Sequence, residues 1–261
     1  MFDYHLHSSV SFDSQGDAAE MVTVAEKLGL KEICFTDHYD FNDVFRDQRD
    51  IFSPEEYRKA YDSLSSPWVK VRRGVEFGLT QWNQPELDAL LNQYDFDFVM
   101  GSVHFAGGYD PYYEEFWTHN GLDTAFEKYL LQALECVKTH DHFDVLGHLN
   151  YVCKSVHNPT KKPLLYADYS DLCDEIMKTI AQKGIGMEIN TSGVDRVGAF
   201  LPSLDFIKRF RELGGEIITV GSDAHDGSRV GQYIDGALSI AKEVFGYVCT
   251  FENRKPIFHK L

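Results

Sequence analysis

The chain has 261 residues, 43% of them hydrophobic, and a formal net charge of -16, which suits one soluble β/α domain. The acidic balance disfavours a nucleic-acid groove, which needs a basic stripe, and means that any anionic substrate must be drawn by local cations or metals. No apolar run reaches membrane-spanning length, the opening MFDYHLHSS has neither the basic nor the apolar region of a secretory signal, and five scattered cysteines without C-x-x-C suit a reduced, cytoplasmic protein with buried thiols.

In chain order, short apolar runs rich in Val, Ile or Phe predict strands over 2–6, 32–36, 69–75, 96–102, 143–147, 185–190 and 216–220. Helical patterns lie between them. Residues 17–28 show apolar spacing and stop at Gly29; Ser53-Pro54-Glu55-Glu56 opens a helix with a capping-box pattern; residues 124–139, 168–183 and 204–213 continue the alternation. Repeated strand–helix alternation predicts an α/β fold with a parallel sheet. Closing that sheet into a seven-stranded β/α barrel, one domain over 1–261, removes both edges, and an open doubly wound sheet is the competing architecture. No glycine-rich nucleotide cradle follows any strand. Residues 247–258 read as an extra hairpin or tail.

The ends of these strands carry the informative residues. His5 and His7 are two apart on the first strand and therefore share a face, while Phe2, Tyr4 and Leu6 should take the other. The second strand runs into Thr36-Asp37-His38, the third into Gly74-Val75-Glu76 and the fourth into Gly101-Ser102-Val103-His104. The fifth leads to Gly147-His148 and the seventh to Gly221-Ser222-Asp223-Ala224-His225. One such histidine is usually a core residue, but six strands contributing to one rim point to a metal site at the catalytic face of a barrel. Asp37 suits either an imidazole-orienting carboxylate or a helix N-cap. His140 and His142 repeat the H-x-H spelling ahead of the fifth strand and are expected to be ordinary surface residues on the opposite face. His119, His157 and His259 receive no role.

Taken together and in order, H-x-H, T-D-H, G-x-E, S-x-H, G-H and S-D-A-H resemble the polymerase-and-histidinol-phosphatase (PHP) superfamily across nearly the whole chain. That resemblance implies a distorted seven-stranded β/α barrel holding three divalent transition-metal ions, Zn, Fe or Mn. It assigns His5, His7, Glu76 and Asp223 to the first metal. Glu76 (bridging), His104 and His148 go to the second, and His38 and His225 to the third, where Asp13 stands at a place often held by histidine. The implied chemistry is metal-assisted attack of water on phosphorus, with Glu76, Asp223 and Arg196 in the catalytic set.

A phosphate needs further cations. Arg196, Arg229 and Lys154 lie on loops after the sixth, seventh and fifth strands, and Arg196 is favoured. Glu188 and Asn190 share a face of the sixth strand as interior polar residues or substrate contacts. The acidic surface disfavours a nuclease, and the absence of lysine at a strand end disfavours a carbamate-bridged amidohydrolase. Within the superfamily the chain is most similar to the stand-alone histidinol-phosphatase branch, through GSVHF, GHLN and EINTSG. This implies L-histidinol phosphate as substrate, with another small phosphate ester or nucleic-acid ends as the alternative. Trp117, Tyr109, Tyr112, Tyr113 and Phe116 of the loop after the fourth strand each suit either stacking on the imidazole or packing the loop onto the rim. Asp110, Glu114 and Glu115 are expected to attract the amine.

Overall fold

The structure is a computed structural model and describes residues 1–121, 124–161 and 163–261. Its strands are β1 (Phe2–Leu6), β2 (Glu32–Phe41), β3 (Arg49–Ile51), β4 (Lys70–Gly78), β5 (Phe98–Ser102), β6 (Val145–Leu146), β7 (Gly186–Asn190), β8 (Ile218–Gly221), β9 (Tyr247–Glu252) and β10 (Lys255–Lys260). Seven of them follow the order β1-β2-β4-β5-β6-β7-β8, each parallel to its neighbour. The sheet nearly closes on itself. Leu6 bridges Ala224, the Asp223 amide donates to the His5 carbonyl at 2.9 Å, and the His7 amide donates to the Ala224 carbonyl at 2.8 Å. The fold is thus the expected seven-stranded β/α barrel, with the strand C-termini gathered on one rim. Among the described residues no helix is long and apolar enough to cross a membrane.

Three features depart from the sequence pattern. β2 runs on past Thr36 to Phe41, because Tyr39, Asp40 and Phe41 pair with the short antiparallel β3. His38 and Asp40 therefore lie on the strand itself, alternating inward with Thr36. Helices Gln84–Leu91, Glu114–Asn120 and Ile234–Val244 are present where no helix was expected. The first two are short, and short apolar segments carry little periodic signal.

The third departure is in β1. Its pairing passes from Asp3↔Ile33 to Leu6↔Phe35, three residues against two, which is a β-bulge with one extra residue. Tyr4 and His5 can therefore both turn inward, and Tyr4 does not lie under the helices as expected. Its ring meets Phe98 at 5.4 Å and its hydroxyl donates to Glu32 at 2.5 Å. The β9–β10 hairpin closes the barrel beneath this point. Phe251 packs on Phe98 at 4.9 Å, and its amide donates to the Tyr4 hydroxyl at 2.9 Å. Arg72 donates to Glu32 at 2.8 Å and to Glu252 at 3.1 Å. The barrel floor is thus a polar network in which the buried carboxylate has its own cation.

Candidate metal centre

The upper half of the barrel is lined by the residues the sequence singled out. His38 on β2 and Glu76 on β4 are direct register partners, which sets His38 Nδ1 3.2 Å from Glu76 Oε2. The β1 bulge and the short step to His7 bring the two imidazoles together, with Nε2 atoms 3.0 Å apart. His148 follows Gly147, where a Cβ would lie 2.4 Å from Ser102 Oγ. Asp223 follows Gly221, where a Cβ would lie 2.3 Å from the His5 Cβ. Asp223 itself has φ +56°, the left-handed region, held there by closure of β8 onto β1.

Glu76 is fully buried at the middle of the cluster. Its Oε2 lies 3.2 Å from His5 Nε2 and 3.3 Å from His7 Nε2; its Oε1 lies 2.8 Å from His148 Nε2 and 3.2 Å from His104 Nε2. Asp223 Oδ1 adds a second carboxylate 3.5 Å from His7 Nε2. On the outer side, Asp13 Oδ2 lies 3.0 Å from His225 Nε2 and 3.6 Å from His38 Nε2. The His7 ring stacks between those of His38 and His225, 4.3 Å from each. All nine residues assigned to metals from the sequence therefore meet in one connected cluster.

The other ring nitrogens show what this cluster needs. His5 Nδ1 donates to Glu188 at 2.7 Å and His104 Nδ1 to Asp40 at 2.9 Å. His225 Nδ1 donates to the Asp223 carbonyl at 3.0 Å. Ser11 Oγ donates to Asp37 at 2.9 Å, so it accepts from His7 Nδ1 at 3.1 Å. In each neutral ring the Nε2 is then a lone pair aimed at a carboxylate oxygen or another Nε2 about 3 Å away. Lone pairs facing at that distance repel unless positive charge lies between them. Among the described residues, the buried atoms Glu76 Oε1, His38 Nδ1 and His148 Nδ1 also make no hydrogen bond of good geometry. Mixed imidazole and carboxylate donors held by a surrounding hydrogen-bond layer fit divalent transition metals.

The proton affinities agree. Burial opposes charge on His5, but Glu188, Glu76 and Asp223 outweigh it and raise its pKa well above the ordinary value. His104 is lifted to about 10 against burial by Asp40 and Glu76. His7 falls to about 4 through burial and the neighbouring His225 and His38. Glu76 stays ionised well below the usual range despite burial, because His5, His104 and His38 surround it. The field of the site thus favours concentrated positive charge.

Asp37 lies inside β2 and caps no helix. It accepts from the Ser8 amide at 2.7 Å, from Ser11 and from the Tyr61 hydroxyl, and so holds His7 through Ser11. Asp40, between His38 and His104, received no role from the sequence. Its signal was its place two residues after His38, hidden by ending the strand too early. His140 is buried rather than a surface residue, its ring nitrogens 2.9 Å from Asn83 Oδ1 and 3.0 Å from the Cys136 carbonyl. His142 is exposed.

A cavity of about 730 Å³ opens on the cluster. Lys154, Arg196 and Arg229 are among its lining residues, together with Tyr109, Tyr112 and Tyr113. Lys154 Nζ sits 2.5 Å from Asp223 Oδ2, and Arg229 pairs with Asp195 at 3.3 Å. Arg196 is exposed and makes no ion pair among the described residues. Trp117 does not line this cavity. It is 4% exposed, and its indole N–H donates to the Pro111 carbonyl at 2.9 Å, so it braces the loop instead of presenting a stacking face. Phe116 is likewise buried, and Glu114 lies outside the lining.

Comparison with known proteins adds the wider context. Residues 3–192 match the PHP domain family model. A histidinol-phosphatase of Lactococcus lactis is 32% identical over 97% of this chain and 95% of its own. A probable histidinol-phosphatase of Clostridium acetobutylicum is 31% identical over 99% and 96%. The crystal structure of the histidinol phosphate phosphatase from Lactococcus lactis, complexed with zinc, L-histidinol and phosphate, superposes with a TM-score of 0.85 at 29% identity, covering 98% of each chain. The chain belongs to the PHP domain family, alongside the stand-alone histidinol-phosphatases.

Proposed function

We propose that this chain is a metal-dependent phosphomonoesterase that hydrolyses L-histidinol phosphate to L-histidinol and phosphate. The observation that carries the reading is Glu76, whose two oxygens face separate sets of imidazoles, His5, His7 and His38 on one and His104 and His148 on the other, in a buried, cation-seeking cluster. Near-full-length similarity to histidinol-phosphatases supports the substrate.

Three ions are proposed. His5, His7, Glu76 and Asp223 hold the first, Glu76, His104 and His148 the second, and Asp13, His38 and His225 the third; zinc, iron and manganese all suit these donors. Bound there, the ions supply a water of lowered pKa and neutralise charge developing on the phosphoryl oxygens. The chain's own part is positioning. Glu188, Asp40 and Ser11 fix the imidazole tautomers. Lys154, beside Asp223, and Arg196, which makes no ion pair among the described residues, receive the phosphate oxygens, with Arg229 next to them. Asp223 belongs to both groups, since one oxygen faces His7 and the other accepts from Lys154 and from Ser192 at 3.1 Å.

The test is phosphate release by the metal-reconstituted enzyme from histidinol phosphate, nucleotide, sugar and amino-acid phosphates. Histidinol phosphate should show the highest kcat/KM. A clear win for another ester overturns the substrate and leaves the metal centre standing.

A further inference from the structure

The cavity is lined by charges of both signs, and only the cations have a part so far. Lys154, Arg196 and Arg229 approach from the loops after β6, β7 and β8. The same lining holds three carboxylates that neither belong to the proposed metal set nor orient one of its imidazoles: Asp50 on β3, next to Arg49, and Asp110 and Glu115 on the loop and helix after β5. Asp50 and Glu115 are exposed at the lip, where water screens them. Asp110 is partly buried. Its Oδ1 accepts from the Tyr112 amide at 2.8 Å and from the Tyr151 hydroxyl at 3.0 Å, which fixes the carboxylate against the cavity wall. No described group donates to Oδ2, although the residue lines the cavity. Burial raises the Asp110 carboxyl pKa, so its ionised form gains from a cation placed beside it. Tyr109, Tyr112 and Tyr113 line the same cavity, and their apolar ring surface lowers the local dielectric, which strengthens a charge pair.

Building on the function proposed above, we propose that Asp110 is a specificity-determining residue that binds the ammonium group of the substrate through Oδ2 and so selects phosphate esters bearing an amine. The phosphate and the amine then occupy different parts of one cavity, and an ester with a neutral tail leaves Asp110 desolvated and unpaired. Its Oδ1 bonds give it a structural role as a turn brace, but that role uses only one oxygen.

Asp110→Asn keeps an acceptor for Tyr112 and Tyr151 while removing the charge. The measurement is kcat/KM for L-histidinol phosphate and for its deaminated counterpart, with the same imidazole, chain and phosphate, on wild-type and variant enzyme. The variant should lose at least about tenfold on the amine-bearing ester and less than about threefold on the deaminated one. Inhibition by inorganic phosphate should not change. Equal losses on both esters, or none on either, overturn the proposal. If wild type prefers some other ester altogether, the substrate reading fails separately, and ethanolamine phosphate against ethyl phosphate becomes the pair. A loss confined to the amine ester upholds Asp110 even then, and equal losses overturn it.

Discussion

The chain spells H-x-H twice, and the two copies end in different surroundings. His5 and His7 sit where β1 bulges into the barrel, and their Nδ1 atoms are held by Glu188 and Ser11. Their Nε2 atoms are left facing each other and Glu76 with nothing to separate them. His140 and His142 follow the Ala125–Thr139 helix. His140 turns into the helical layer toward Asn83, and His142 points to solvent beside Asp88. Spacing alone does not make a ligand pair. What separates the two is a strand that aims both rings at one point, and second partners that consume the wrong nitrogen. The barrel floor adds a second contrast. Its buried carboxylate Glu32 meets Arg72 and Tyr4, so it needs nothing from outside the chain, whereas the rim does.

The hardest way to break that contrast is at Glu76. Glu76→Ala should leave a folded barrel, because a small side chain does not disturb the floor network or closure of β1 onto β8. Turnover should fall by at least about a thousandfold, as expected for losing several kcal/mol of transition-state stabilisation. Elemental analysis should find more than one metal per wild-type chain and fewer in the variant. Full activity in the variant removes Glu76 from the centre of the site.

A finer cut is the group behind His7. Asp37→Asn keeps the size of the side chain but weakens the acceptor that orients Ser11 and, through it, the His7 tautomer. Metal affinity should drop by about 10–100-fold, the usual cost of losing a partner that orients a metal ligand. At saturating metal, kcat should largely recover. Direct metal titration reads the first effect. A kcat loss that no metal concentration restores assigns Asp37 to the chemistry rather than to positioning.

Much of this was legible before any coordinates. Strand–helix alternation gave the barrel, and ligand-type residues just past successive strands gave the rim, because both follow from local periodicities of two and 3.6 residues. What stayed hidden depended on non-local pairing. The β1 bulge that turns Tyr4 inward arises from its register with β2 and leaves no mark in the pattern FDYHL. Asp40 escapes the pattern because β2 beyond Tyr39 is paired with β3 alone, three residues with no apolar alternation. Trp117 was expected in the cavity on composition. An aromatic loop residue can cap a rim or brace it, and the Pro111 carbonyl that accepts its N–H decides for bracing. His140 was assigned to the surface by strand polarity. That placed it away from the rim but said nothing about the Gln84–Leu91 helix beside it.

The second H-x-H gives the smallest and most discriminating effect on activity. His140→Ala and His142→Ala should each leave kcat/KM within about twofold of wild type, since neither belongs to the rim that carries chemistry in such barrels. They should differ in stability. His140 is fully buried, and its removal takes one of two partners from Asn83 Oδ1, which keeps the Thr80 amide, and opens a small cavity, so denaturant unfolding should show a loss of about 1–3 kcal/mol. His142 forms an exposed pair with Asp88, of a kind worth less than about 1 kcal/mol, and its removal should be close to neutral. The pair therefore separates two ways a histidine can matter. A fall in kcat/KM for either variant as deep as that for His5→Ala would show that the second H-x-H communicates with the metal centre. Equal stability of the two variants would mean that the contacts of His140 are offset by the strain of holding its ring between two carbonyl oxygens.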